Sequence, residues 1–213
     1  MKKIWRRLPL GPLQTNCYLY ADAEGHCLII DPGEEANKLI QVIREKKWKP
    51  LAILLTHAHF DHIGALDAVR EYYEIPAYVH IKERNWLQDS SLNGSAFFEI
   101  GGPVQARVAE HIIESEGTLE IGDFKLDVLY TPGHSPGSVS YYDQKEGVVF
   151  SGDALFKGSI GRTDLPGGNH QQLLDSIQKK LLTLPEDTLC LSGHGPETII
   201  EDEMMHNPFL NGF

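Results

Sequence analysis

No stretch of this chain is long and apolar enough to cross a bilayer, so nothing in it reads as a transmembrane helix. Cysteine is scarce. Cys17, Cys27 and Cys190 are an odd set that cannot all pair within one chain, and none stands at zinc-knuckle spacing, which argues against a disulfide scaffold. Two of them lie in apolar, strand-like runs, and the expectation is buried reduced thiols in a cytoplasmic protein. Positive charge is also short: 19 Lys and Arg face 30 Asp and Glu, a formal net charge of -11. The acids are spread along the chain rather than gathered in a tail, and such a surface repels nucleic acid backbones and anionic membranes. Neither is expected as a partner. A small anionic substrate stays open, because bound cations reverse the local sign of a site. Residues 1–7 carry charge with no apolar run behind them, and no secretory leader is expected. Repeats, low-complexity segments and linkers are lacking too, so residues 1–213 are read as a single domain.

What is present alternates between strand and helix patterns. Residues 17–21 and 27–30 are β-rich runs separated by Asp22-Ala23-Glu24-Gly25, which suggests a hairpin. Residues 34–47 have apolar side chains at Ala36, Leu39, Ile40 and Ile43, a helical period. The continuous apolar run 51–55 reads as a strand buried on both faces, followed by a helix over 63–73 and a strand over 77–80. Residues 89–117 read as a long loop, a candidate flap over a site. Strand-like runs return at 124–130, 139–142, 148–150 and 188–191, with helices over 170–182 and 197–205. Two β- and α-containing halves of similar makeup point to an α/β fold of two mixed sheets with helices outside.

The chemistry is concentrated in Thr56-His57-Ala58-His59-Phe60-Asp61-His62, directly after the buried run. In extended chain His57 and His59 point the same way, while Asp61 and His62 fall where the chain turns into the next helix. Imidazoles and a carboxylate together suit zinc, manganese or iron. A polar loop in which Asp61 caps a helix explains that residue alone, but not four ligand types in six positions. Three later segments repeat one plan, a strand, then a small residue, then a ligand-type side chain: Thr131-Pro132-Gly133-His134, Ser151-Gly152-Asp153 and Ser192-Gly193-His194-Gly195. Each alone is ordinary turn chemistry. Their recurrence after the histidine cluster is the signal.

In this order the motifs resemble the metallo-β-lactamase superfamily from about Asn16 to Gly195, and within it the glyoxalase II-like hydroxyacylglutathione hydrolases, particularly their short bacterial form. The resemblance implies an αββα sandwich, two mixed β-sheets flanked by helices, with a metal site at one edge of the sheets. It implies two divalent metal ions, zinc first with iron or manganese as alternatives. His57, His59 and His134 would hold one, Asp61, His62 and His194 the other, with Asp153 bridging. Asp61 would also steer the attacking water, and Asp31, after the strand ending at Ile30, would orient a ligand histidine unless it is only a turn residue of Asp31-Pro32-Gly33. The implied activity is hydrolysis of a small-molecule thioester of the S-lactoylglutathione kind. Whether the enzyme is a monomer or a dimer is left open.

The sequence departs from the longer glyoxalase II enzymes in two places. Only 19 residues follow His194, mostly acidic or neutral, where those enzymes carry a basic helical domain that grips glutathione. Their Gly-Lys-aromatic loop is replaced by Phe156-Lys157-Gly158-Ser159-Ile160-Gly161-Arg162-Thr163-Asp164, in which Lys157 and Arg162 are candidates for a substrate carboxylate or ordinary solvated charges. Gly161-Arg162-Thr163-Asp164 also resembles a loop of persulfide dioxygenases. Those enzymes bind a single iron through residues matching His57, His134 and Asp153, and this is the alternative reading.

Overall fold

The computed structural model describes residues 2–98 and 102–210. They form two compact units, residues 1–114 with 120–124, and residues 115–119 with 125–213. The first unit carries a six-stranded mixed sheet in chain order: β1 (Ile4–Leu10), β2 (Thr15–Ala21), β3 (His26–Ile30), β4 (Lys49–Leu54), β5 (Ala77–His80) and β6 (His111–Ile113). The first three strands pair antiparallel and the remaining pairs are parallel, each joined by a long crossover. The crossovers are α1 (Ala36–Lys46), then a single turn α2 (Phe60–Ile63) followed by α3 (Leu66–Tyr73). Leu39 and Ile43 of α1 and Leu66 and Val69 of α3 bury the apolar stripe set by the helical period against Leu19, Ile29 and Ile53 of the sheet.

The other six-stranded sheet, most of it in the second unit, has the strands β7 (Gly117–Ile121), β8 (Phe124–Tyr130), β9 (Val139–Asp143), β10 (Val148–Gly152), β13 (Leu189–Ser192) and β14 (Thr198–Ile199), in the spatial order β14-β13-β10-β9-β8-β7. Between β10 and β13 come a separate two-stranded ribbon, β11 (Leu155–Phe156) with β12 (Ser159–Ile160), and the helix α4 (His170–Ser176), which continues as a π-helical turn over Ile177–Leu181. The last helix is α5 (Ile200–His206). Leu173, Leu174, Ile177 and Leu181 pack with Val149, Cys190 and Ile200 into this unit's core. Among the described residues no helix is long and apolar enough to cross a membrane.

Several expected elements differ in detail. The helix expected over 63–73 is split, with Gly64 between the two helical pieces. A side chain at Gly64 would run into Glu34, so the chain turns there at a residue without one. β1 has no counterpart in the sequence reading, because Arg6, Arg7 and Pro9 break the apolar pattern; at a sheet edge those residues are tolerated. The loop expected over 89–117 contains β6, the start of β7 and a short helical turn at Ser95–Phe97, and its residues 99–101 lie outside the described residues.

All three cysteines are buried as free thiols. Burial is the main cause that raises each pKa: Cys27 and Cys190 are pushed up to about 12, and Cys17 rises well above its ordinary value with help from the Asp31 charge. We therefore expect no reaction with Ellman's reagent at pH 8 in the native protein and three equivalents after denaturation. Fast titration of any thiol in the folded state would contradict this packing.

Candidate metal centre

β3 and β4 run parallel and side by side, so the segments leaving their ends begin close together. Asp31 leaves β3 with φ +49, a left-handed conformation that aspartate tolerates better than most residues. Its carboxylate accepts the Thr56 amide at 2.7 Å, the Thr56 hydroxyl at 2.6 Å and His62 Nδ1 at 2.9 Å, with 2 % of the residue exposed. Thr56 Oγ1 gives its proton to Asp31, so it meets His57 Nδ1, 3.1 Å away, as an acceptor. Both histidines thus carry their proton on Nδ1 and turn the Nε2 lone pair the other way. The following Asp31-Pro32-Gly33 loop is tied to the same region: Gly33 donates to the His62 carbonyl at 3.1 Å and accepts from Ala65 at 2.6 Å.

His57, His59, His62 and Asp61 are all buried. Ring centroids lie 4.8 Å apart for His57 and His59 and 4.1 Å apart for His57 and His62. His59 sits against Trp86 at 5.7 Å. Asp61 belongs to the α2 turn rather than capping a later helix, and its Oδ2 accepts the buried Thr15 hydroxyl at 2.6 Å. That same oxygen is 3.5 Å from His62 Nε2. The Asp61 charge adds to burial in raising the pKa of neighbouring Glu34.

The second unit supplies His134, Asp153 and His194, each just past a strand. His134 lies in a turn pressed onto α4: Gly133 takes φ +132, its carbonyl accepts the Asn169 amide at 2.7 Å, and a side chain there would overlap the Leu173 backbone. His134 Nδ1 donates to the Arg162 carbonyl at 2.8 Å, which again leaves the lone pair on Nε2. Asp153 follows a register shift between β10 and β13, and one of its oxygens, Oδ2, lies 3.6 Å from His134 Nε2 and 3.5 Å from His194 Nε2. Gly161 lets β12 pass the site, since a Cβ there would fall on the Asp153 carbonyl.

These distances test the donor set. Hydrogen bonds from nitrogen to oxygen span about 2.7–3.2 Å. Bonds of about 2.0–2.1 Å to one tetrahedral ion place neighbouring ligand atoms roughly 3.4 Å apart. The three imidazole–carboxylate separations of 3.5, 3.6 and 3.5 Å match the second spacing. For His62 and His134, moreover, the nitrogen facing the carboxylate carries a lone pair, a repulsive arrangement that a cation between them would reverse. The residues fit a metal. Asp31, His57 and His62 also offer donors within 4.8 Å of one another, but three hydrogen bonds already occupy the Asp31 oxygens, so we assign it to orientation.

Two residues proposed for substrate sit outside these clusters. The Arg162 guanidinium is engaged bidentately by Asp164 at 2.7 Å through both Nε and Nη2, and what Arg162 gives the site is its backbone carbonyl. Lys157 is exposed between β11 and β12. Sequence reasoning missed Thr15, Thr56 and Glu83. Glu83, fully buried, accepts the amide of Ala58 at 2.6 Å and so holds the link between His57 and His59. Thr56 stood next to the cluster and was open to discovery; Thr15 and Glu83 are far away in sequence and carried no local signal.

The metallo-beta-lactamase superfamily model matches residues 10–194. The chain is 61% identical over 209 residues to the probable metallo-hydrolase YqgX of Bacillus subtilis, covering 98% of each. It is 37% identical over 205 residues to the hydroxyacylglutathione hydrolase GloC of Haemophilus influenzae, covering 96% of each. Among solved structures it resembles the BLEG-1 B3 metallo-beta-lactamase, with TM-score 0.96 and 56% identity over 98% of this chain and 100% of that one. TTHA1623 in a di-iron-bound form gives TM-score 0.87 and 41% identity over 96% of this chain and 100% of that one.

Asp31→Ala removes the acceptor that orients His62 and, through Thr56, His57. Metal affinity measured by chelator competition should fall roughly 10- to 100-fold, with the fold retained by circular dichroism. Unchanged affinity would mean that the histidines hold their orientation without it.

Proposed function

Because this chain belongs to the metallo-β-lactamase superfamily and is a metal-dependent hydrolase, we propose that it is a binuclear thioester hydrolase of the glyoxalase II type. The observation that carries the binuclear reading is the single Asp153 oxygen facing two imidazole nitrogens at 3.6 and 3.5 Å, the disposition of a bridging carboxylate. In this reading His57, His59 and His134 would hold one ion and Asp61, His62 and His194 the other, with Asp153 shared. The proposal takes residues 1–213 as a single domain, working in the cytoplasm. Two bound divalent cations, zinc or iron, would lower the pKa of a water between them and polarise the substrate carbonyl.

The protein's own residues supply the rest. Asp61, with one oxygen on Thr15, would steer the attacking water. A thiolate leaves as a weak base, so no strong general acid is needed, and none of the motif histidines has to serve as one. Asp31, Thr56 and Glu83 keep the histidine segment rigid while charge develops at the carbonyl. The thioester assignment is supported by the likeness to GloC over nearly the full length of both chains. Arg162 could take a substrate carboxylate only by exchanging it for Asp164, which leaves Lys157 as the more available cation.

The test is elemental analysis of protein purified without added metal or chelator, followed by assays on S-lactoylglutathione and on a chromogenic β-lactam. We expect about two divalent ions per chain, and thioester hydrolysis lost on chelation and restored by metal. Asp153→Ala should retain fewer ions and lose about a thousandfold in kcat/KM, as expected when several kcal/mol of charge stabilisation are removed. β-Lactam cleavage without thioester cleavage would favour a second reading, β-lactam hydrolysis, which the likeness to the BLEG-1 B3 metallo-beta-lactamase supports. About one iron per chain with oxygen uptake on a persulfide would overturn the binuclear thioesterase reading in favour of a dioxygenase.

A further inference from the structure

The ribbon of β11 and β12 closely follows Asp153 and forms a separate two-stranded sheet, with Leu155 paired to Ile160 and Phe156 to Ser159. Two residues a side cannot hold a ribbon in place in water, so its position depends on outside contacts. At its base, Ser151 Oγ donates to the Leu155 carbonyl at 3.0 Å and Gly161 to the Ala154 carbonyl at 3.3 Å. Its tip is held by α5. The Gly158 amide faces both oxygens of Glu203, at 3.1 and 2.9 Å. Thr198 Oγ1 donates to one Glu203 oxygen at 2.7 Å and Asn207 Nδ2 to the other at 2.7 Å, while Asn207 Nδ2 also reaches the Ser159 carbonyl at 3.0 Å.

Glu203 is 2 % exposed, and a carboxylate buried so deeply is costly unless donors surround it. An apolar residue would seat α5 in its core without that cost. What the acid adds is a grip on Gly158, at the point where the ribbon turns with φ +66. The same ribbon sets Phe156 edge-on to His194, with ring centroids 6.1 Å apart, and displays Lys157 at the turn.

We propose that Glu203, supported by Asn207, is a positioning residue: it fixes the 155–160 ribbon so that Phe156 stays against the His194 imidazole and Lys157 faces the anionic thiol half of a thioester. The substrate part rests on the thioester reading; the positioning part does not. In this chain a seven-residue helix near the C-terminus performs the placement.

The test uses the metal-loaded full chain, wild type beside Glu203→Ala, Glu203→Gln and Asn207→Ala. Trypsin cleavage after Lys157, timed by mass spectrometry, reads the ribbon independently of activity. Loss of a charge-assisted hydrogen bond should speed that cleavage about tenfold in Glu203→Ala, with metal content unchanged. Glu203→Gln, which keeps one acceptor oxygen, should fall between it and wild type. KM for S-lactoylglutathione should rise about tenfold at constant kcat in Glu203→Ala and in Lys157→Ala, while an N-acetylcysteamine thioester, lacking the anionic tail, is unaffected. Unchanged cleavage after Lys157 would overturn the positioning role. So would an equal loss on both thioesters together with a lowered melting temperature, the pattern of a merely structural residue. If Glu203→Ala fails to fold, Asn207→Ala, which releases the Ser159 carbonyl, decides by the same two readouts. Faster cleavage with neither thioester hydrolysed would remove the thioester reading and leave the positioning role standing.

Discussion

Asp31 takes three hydrogen bonds at the end of β3, and the geometry of the first unit's ligand cluster depends on them. A carboxylate with so little exposure must have its acceptors filled. The donors that fill them come from Thr56, at the end of the adjacent parallel strand, and from His62, at the start of the next helical turn. Satisfying one buried charge therefore fixes the separation of two strand ends and the tautomers of two histidines at once. Glu83 repeats the device from the other side, holding the amide of Ala58. Two buried acids, neither assigned as a metal ligand, make the histidine segment rigid before any ion arrives, and that preorganisation is what electrostatic catalysis requires.

The second unit reaches a comparable result with backbone rather than buried acids. Gly133 and Gly161 stand where the chain passes too close to Leu173 and Asp153 for a side chain, so glycine here is a condition of approach. His134 is oriented by a main-chain carbonyl from Arg162, whose residue type matters less than its position after Gly161. This explains why the arginine looked, in sequence, like a substrate ligand. The side chain announces charge, while the contact with the site runs through the backbone.

How much could be read in advance follows from the range of each interaction. The sheet strands from β2 to β5 and from β8 to β10, with α1 and most of α4, were legible because their apolar periods are local. The ligand-type residues were legible because metal donors are chemically rare and stood at strand ends in one repeated plan. β1 was hidden by Arg6, Arg7 and Pro9, whose tolerance depends on an edge position that no local window reveals. β6, β11, β12 and β14 are two or three residues long and owe their extension to neighbours. Thr15, Glu83 and Glu203 act across 46, 25 and 45 positions, so their roles existed only once the chain had folded.

The formal charge of -11 belongs to the same account. Asp31, Asp61, Glu83, Asp153 and Glu203 are all buried, and a folded chain that gathers anions in this way carries a desolvation cost. Hydrogen bonds offset it for Asp31, Glu83 and Glu203. Asp61 and Asp153 also face imidazole nitrogens at a spacing longer than a hydrogen bond and suited to an ion. For Asp61 the Thr15 hydroxyl offsets part of the cost, and a bound cation would add to the compensation of both. A ligand that binds the native state and not the unfolded one stabilises it in proportion to the logarithm of its concentration over its Kd. Carboxylates that held a metal in this way would thereby also couple its occupancy to the persistence of the fold.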